Sequence, residues 1–385
     1  MKTDICIVGG GIMGLATAYN LTRTTDSEIL LLDRYGIPND YSASNDVNRV
    51  FRYSYGNDKF YTEMAVESLR LWKQLEQESG QQLLTPTGLL LLEGVDENSN
   101  KFAEASYKTL IRANLGAERL DSRELRSRYP QFKAEKAILD PHGGVLLASK
   151  ALQTLQELVK LRGVRVVQRQ VAKIVGGESP HLLTMDNEQI DSRKIVVATG
   201  QWSNSLLDEE MPQVKPTRQQ LFYIRPSVGI DRFLPTKCPV FFTDSHYGLP
   251  AVSIDAVKIS PKELPEEVNP ETANRSVDQQ QLNNCRDACR KFIPDLEQGE
   301  LVHSKVCIYD MTENSDFVLD RDLDNPNMVY GYGFSGHGFK FAPLVGKLLA
   351  QLNLGQKPSF DLANFSIIPS KRRAPTIGSQ LGKGE

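Results

Sequence analysis

The stretch Ile5-Cys-Ile-Val-Gly-Gly-Gly-Ile-Met-Gly-Leu15 joins a short apolar run to a glycine cluster. Ile5–Val8 reads as a buried strand, Gly9–Gly14 as a turn, and Leu15–Leu21 as a helix with apolar residues at helical spacing. Glu28–Leu32 is then a second buried strand, ending at Asp33. Strand, turn, helix and strand within about 30 residues have the size of a βαβ unit. Gly9, Gly11 and Gly14 form G-x-G-x-x-G at the first junction. The first glycine permits the tight turn, the second lets backbone approach a pyrophosphate, and the third lets helix pack closely on strand. Ile12 and Met13 open the helix, where backbone amides and the positive dipole end meet an anion. Asp33 lies where a carboxylate accepts hydrogen bonds from a ribose hydroxyl. A bound dinucleotide is the reading; the alternative is a glycine-rich turn in some other α/β protein. Asp33 disfavours a 2′-phosphorylated cofactor, and Arg34 beside it keeps that question open.

Working outward, Phe60–Ser79 is an amphipathic helix with Ala65, Leu69, Trp72 and Leu75 on one face and Gly80 as its cap. Gly88–Leu92 reads as a strand, Ala151–Leu161 as a helix, and Val164–Gln168, Val171–Val175 and Ile195–Ala198 as strands. Leu221–Ile224, Val240–Thr243 and the alternating Val252–Ile259 suggest an antiparallel sheet. Pro261–Asn274, charged and proline-rich, is expected to be an exposed loop. Val329–Tyr332 is a last strand before a glycine-rich turn and the helix Pro343–Leu352. The fold class is therefore α/β plus α+β: a Rossmann-like βαβ domain with a second, antiparallel-sheet substrate domain. The dinucleotide domain is expected to comprise 1–85, 140–215 and 320–385, and the substrate domain 86–139 and 216–319, with 370–385 a loose tail.

The 45 basic and 48 acidic residues leave a formal charge of −3 without long runs of one sign. That argues against nucleic acid or an anionic membrane as partner. Five scattered cysteines suit a reducing compartment better than a secreted disulfide scaffold. No apolar run approaches a membrane span, and Met1–Asp4 leads straight into a strand, so a cytoplasmic enzyme is expected. The histidines and cysteines show no ligand spacing, and no metal is expected.

Two later segments sharpen the reading. Gly333-Phe-Ser-Gly-His-Gly-Phe-Lys340 resembles the flavin-ring loop of the monomeric sarcosine oxidase and N-methyl amino acid oxidase group, within the D-amino-acid-oxidase-like superfamily. Cys307-Ile-Tyr-Asp-Met-Thr312 resembles the segment that carries that group's covalent flavin attachment. Arg49-Val-Phe-Arg52, Thr87–Leu92 and Gly143-Gly144-Val145 extend the similarity, which runs to about Phe365, and Ile195–Gly200 resembles the second strand-turn motif of many flavoproteins. The resemblance implies FAD, tethered through Cys307, and oxidation of a secondary amino acid with O2 reduced to hydrogen peroxide. It also implies Ser42, Ser44, Val171, Gly200, Trp202, Gly333, Ser335, Gly336 and Gly338 as cofactor contacts, with Arg49 against the flavin. Arg52 and Lys340 become the substrate-carboxylate clamp, where spacing alone would read two solvated cations. The partners implied are a small amino acid and O2, with the chain a monomer or small homo-oligomer.

Other residues keep two readings. Cys307 is in a β-like run, where a buried structural thiol is the usual case, and Lys305 on the same face is a candidate cation for a thiolate. His337 either faces the flavin or packs. Lys258 shares a face with Val252, Ile254 and Ala256, which disfavours a charge without a partner or a task. The resemblance makes it the lysine that promotes reaction with O2; the alternative is a lysine snorkelling to solvent. Tyr247, Tyr223 and Tyr53 are candidate pocket aromatics, Tyr247 foremost.

The sequence also departs from the group. Asn45-Asp-Val-Asn48 stands where His-Gly-x-Thr/Ser is usual, and is more similar to fructosyl-amino-acid and saccharopine oxidases, which usually carry Lys in place of Arg49. Lys262 replaces the histidine four residues after the oxygen-site lysine. Alternative activities are therefore a fructosyl-amino-acid or saccharopine-type oxidase, or an amine dehydrogenase with another electron acceptor.

Overall fold

The computed structural model describes residues 1–262 and 266–372. The two opening apolar runs form adjacent parallel strands, Lys2–Val8 and Ile29–Asp33, joined by the helix Ile12–Leu21. Both strands are almost continuously buried, as parallel strands covered on both faces must be. Gly9 has φ +106°, and a Cβ there would lie 2.2 Å from the Ala198 carbonyl oxygen. At Gly14 a Cβ would lie 1.8 Å from the Gly9 carbonyl oxygen, so helix and turn touch backbone to backbone.

Around this unit an eight-stranded sheet has the order Val171–Val175, His181–Thr184, Gln189–Val197, Lys2–Val8, Ile29–Asp33, Arg165–Gln168. Met328–Tyr332 adds in parallel to Gln189–Val197, and Val318–Arg321 adds in antiparallel fashion to Met328–Tyr332. Three distant parts of the chain thus build one sheet. The helix Ala342–Asn353 packs on Ile12–Leu21 through Gly346, where a Cβ would meet Ala16 backbone at 2.4 Å.

The second sheet has nine strands. Its spine is the antiparallel pair Lys215–Arg225 and Glu300–Met311, in register from Lys215/Met311 to Arg225/Glu300 with one irregularity after Tyr223. Val257–Pro261, His246–Leu249, Val240–Phe242, Leu89–Glu93, Lys136–Asp140 and Glu118–Asp121 follow in that order. Its pairings are antiparallel except that of Val240–Phe242 with Leu89–Glu93. A small three-stranded sheet, Arg49–Phe51, Gly144–Leu146 and Leu84–Pro86, fixes the backbone of Arg49.

The amphipathic helix runs over Lys59–Ser79, with the Asp58 carboxylate accepting from Tyr61 N and Gly80 closing it at φ +66°. Ala65, Trp72 and Leu75 are buried, and Leu69 packs against the same core. Three expectations are corrected. The strand at Val252–Ile259 begins only at Val257; the preceding residues form an irregular turn with Ser253 at φ +66°, so their alternation was not a strand face. Pro261–Asn274 is not uniformly exposed, since Pro261 and Lys262 are buried and Glu266–Glu267 pairs with Lys215–Arg225. The tail begins docked: Arg372 donates to the carbonyls of Phe317 (3.0 Å) and Asp316 (2.9 Å) and to Asn314 Oδ1 (3.0 Å). Residues 373–385 of the expected tail lie outside the described residues.

Candidate active site

A cleft of about 360 Å³ is lined by residues of both large sheets, from the Gly9–Asp33 unit to Lys340. At the glycine turn, Gly9, Gly11, Ile12, Met13, Asp33, Arg34, Ser42 and Ser44 line it. Ile12 N donates to Ser44 Oγ at 3.0 Å, and no side chain caps the helix at Gly11. Asp33 accepts from Gly10 N (2.8 Å) and Tyr35 N (2.9 Å), fixing the turn to the end of the second strand. Burial raises its carboxyl, an effect the amides of Gly10, Tyr35 and Gly36 oppose. Arg34 is held in a bidentate pair by Glu271 from the other sheet's segment. Val171, Gly200 and Trp202 complete this region.

The two residues expected to clamp a carboxylate lie together. Arg52 and Lys340 both line the cleft, are 2 % and 4 % exposed, and meet at Tyr55. The Arg52 guanidinium carbon lies 4.5 Å from the centre of the Tyr55 ring and 5.1 Å from that of Phe242. Lys340 Nζ donates to Tyr55 Oη at 2.9 Å and to the His337 carbonyl at 2.8 Å. Burial, and then Arg52, push the Lys340 ammonium well below the ordinary lysine range. Burial likewise lowers Arg52, which Tyr55 and Asp140 partly offset. Two desolvated cations in one cleft fit a ligand that brings an anion.

Lys258 also lines the cleft, yet only 1 % of it is exposed, so it does not snorkel to solvent. Its Nζ lies 2.5 Å from Asp46 Oδ2 and 3.0 Å from the Asn48 carbonyl. The same carboxylate pairs with Arg49 and accepts from Tyr223 Oη at 2.6 Å. Arg49 in turn sets Nη2 3.5 Å from Cys307 Sγ. The cation at Cys307 is therefore Arg49, not Lys305, whose Nζ is paired with Asp40 at 3.2 Å. Burial works against the Arg49 charge, an effect that the Asp46 carboxylate paired with it offsets.

In the Gly333–Lys340 loop, Gly336, His337 and Gly338 face the cleft. Gly336 has φ +72°, and a Cβ there would meet the Tyr309 ring at 2.7 Å. His337 lines the cleft and also packs, its ring 4.8 Å from Phe317. Asp310 holds the loop by accepting from Gly333 N (2.8 Å) and Phe334 N (3.0 Å), and burial pushes its carboxyl up to about 6. Tyr247 lines the cleft, stacked on Phe242 at 5.5 Å. Gly14, Gly333, Ser335 and Cys307 do not line the cleft. Tyr223 and Tyr53 are buried away from it, Tyr53 packing on His142 at 4.6 Å. Asp46, Tyr55, Asp310 and Glu271 were missed as site residues. Asp46 and Asp310 stand inside quoted motifs, and an unexplained acidic residue beside Arg49 was the available signal.

The residues fit a flavin dinucleotide. Gly11 presents bare backbone to the cleft at the helix start, where a Cβ would lie 3.3 Å from Ser44 Oγ, and Asp33 closes the second strand where a ribose belongs. Fold and cleft together define an oxidoreductase with a bound dinucleotide. The chain belongs to the FAD dependent oxidoreductase family, whose model matches residues 4–352. It is 35 % identical to the peroxisomal sarcosine oxidase of Homo sapiens, over 97 % of either chain. To the monomeric sarcosine oxidase of Bacillus sp. (strain B-0618) it is 28 % identical, over 94 % of this chain and 95 % of that one. The solved glycine oxidase of Geobacillus kaustophilus shares the fold at a TM-score of 0.83, with 20 % identity over 96 % of this chain and 99 % of that one. No helix among the described residues is long and apolar enough to cross a membrane.

Proposed function

We propose that the protein is an FAD-dependent oxidase of secondary amino acids, N-alkyl or cyclic. The observation that carries this reading is the buried pair Arg52 and Lys340 meeting at Tyr55 in the cleft that also contains the dinucleotide turn. Similarity to two sarcosine oxidases over nearly the whole chain supports it. Bound FAD would accept a hydride equivalent from the C–H beside the substrate nitrogen and return two electrons to O2 as hydrogen peroxide. The imine product then hydrolyses to amine and aldehyde, or leaves as a cyclic imine.

The protein's own work is placement and electrostatics. Arg52 and Lys340 hold the substrate carboxylate, and the Phe242 and Tyr247 rings form an apolar wall beside it. Lys258 supplies a positive charge where O2 acquires negative charge. The flavin is tethered at Cys307, whose Sγ lies 3.5 Å from Arg49 Nη2. None of the five cysteines pairs with another and all are buried, which supports a reducing compartment such as the cytoplasm.

The test is anaerobic flavin bleaching with sarcosine, other N-methyl amino acids, proline, pipecolate, saccharopine and fructosyl amino acids. One hydrogen peroxide per bleached turnover in air is expected with a secondary amino acid. Bleaching without peroxide would make the protein a dehydrogenase, and no bleaching with any of them would refute the reading. Wild-type flavin is expected to stay with acid-precipitated protein and to leave Cys307→Ala; equal retention in both excludes the tether.

A further inference from the structure

Behind two of the cleft's cations lies a carboxylate to which the proposed reaction gives no task. Asp46 is 3 % exposed and does not line the cleft, whereas Arg49 and Lys258, which both touch it, do. Its Oδ2 takes the Lys258 ammonium at 2.5 Å and the Arg49 guanidinium. Its Oδ1 accepts from Tyr223 Oη at 2.6 Å and from its neighbour's amide, Val47 N, at 2.8 Å. Four donors on one buried carboxylate leave it no freedom to rotate or to take a proton cheaply.

Lys258 needs such a partner. Its own strand, Val257–Pro261, is buried throughout. From the Arg49–Phe51 strand it faces the Arg49 guanidinium; from Glu300–Met311 it faces Cys307 and Lys305; from Lys215–Arg225 it faces the Tyr223 ring, 5.8 Å from Nζ. Burial, Arg49 and Lys305 all work to remove its proton. The phenols of Tyr223 and Tyr309 are pushed up by burial and stay protonated. The charge that opposes these effects at contact distance is Asp46.

We propose that Asp46 is a positioning residue that holds Lys258 against the cleft wall as an ammonium while offsetting the repulsion between Lys258 and Arg49. A neutral amine would add no fixed positive charge to the site where O2 is reduced. This rests on the assignment of Lys258 above. It also gives a physical role to the departure at Asn45–Asn48.

The experiment uses holoenzyme labelled with 15N-lysine. Nζ of Lys258, identified by its loss in Lys258→Met, is followed from pH 6 to pH 9.5 beside the rate at which O2 reoxidises the reduced flavin. In the wild type the ammonium signal and the rate are expected to hold across the range. In Asp46→Asn the signal should pass to the neutral amine as pH rises, and reoxidation at pH 9 should be about tenfold or more below that at pH 6. The sign follows because a lysine without its carboxylate loses its proton at lower pH. A wild-type Nζ already neutral at pH 7 overturns the proposal whether or not the variant folds. So does an Asp46→Asn protein whose signal and rate stay flat. Lys258→Met separates the underlying assignment: unchanged reoxidation there removes the O2 role of Lys258, while the Nζ titration still judges Asp46.

Discussion

Lys340 shows how a single side chain can be read for both energy and use. It is 4 % exposed, its ammonium is held by Tyr55 and the His337 carbonyl, and burial together with Arg52 pushes it well below the ordinary lysine range. Such a cation is costly in the free enzyme and is relieved when a carboxylate arrives. On the proposed clamp, substrate carboxylate binds the protonated form, so affinity is expected to be full at low pH and to fall as pH rises through the lowered value. kcat/KM is therefore expected to decline on the alkaline side while kcat at saturation holds. Lys340→Met should abolish that limb and raise KM roughly 10- to 150-fold, from the roughly 1.5–3 kcal/mol of a hydrogen bond to a charged group. A KM unchanged in Lys340→Met would remove the residue from the clamp. None of this was legible from spacing, by which Lys340 is one more loop cation; only the packing of Tyr55 beneath it marks it as buried.

Among the elements, those with strong periodicity or glycine punctuation were legible and those with sparse apolar positions were not. Lys2–Val8, Ile12–Leu21, Ile29–Asp33 and Lys59–Ser79 all form where the pattern put them, within a residue or a few. Glu97–Arg112 and Gln279–Phe292 were missed, because their sequences are polar and only one stripe is buried. The misread Val252–Ile259 failed for the opposite reason: alternation over a few residues also suits a half-buried turn, in which Ser253 and Asp255 are exposed. At the site, the glycine turn was visible because its chemistry is local, whereas Asp46 acts on Lys258, 212 positions along the chain. The packing of Ala342–Asn353 on Ile12–Leu21 shows what such contacts control. Gly346 leaves room for Ala16 backbone, and a Cβ would approach it to 2.4 Å. Gly346→Ala is expected to force the helices apart, lowering stability by about 1–3 kcal/mol despite its better helix propensity. Urea unfolding measures this, and a variant as stable as wild type would mean that the helices separate freely.

At the scale of the whole molecule, two sheets with separate cores meet across one cleft, and the dinucleotide site draws on both. Gly9–Asp33 belongs to the first sheet's βαβ unit, while Lys258, Tyr247 and Tyr309 come from strands of the second. Direct links between the two include Arg34 with Glu271, an ion pair whose side chains are 29 % and 45 % exposed. A pair so open to solvent contributes little, on the order of 0–1 kcal/mol. Buried links such as Lys258 with Asp46 at 2.5 Å also join them, a cofactor in the cleft would add to these, and its mode of attachment decides how stability depends on concentration. A freely exchanging ligand stabilises by mass action, adding about 1.4 kcal/mol for each tenfold excess over its Kd. A tethered one does not, since it cannot leave on unfolding. The melting temperature of flavin-loaded wild type is therefore expected to be indifferent to added FAD. That of Cys307→Ala should climb by a few degrees for each tenfold rise in FAD, at roughly 2–4 °C per kcal/mol for a domain of this scale. A wild-type melting temperature that rises with free FAD excludes the tether. One in Cys307→Ala that ignores FAD excludes the cleft as the place where the cofactor joins the two sheets.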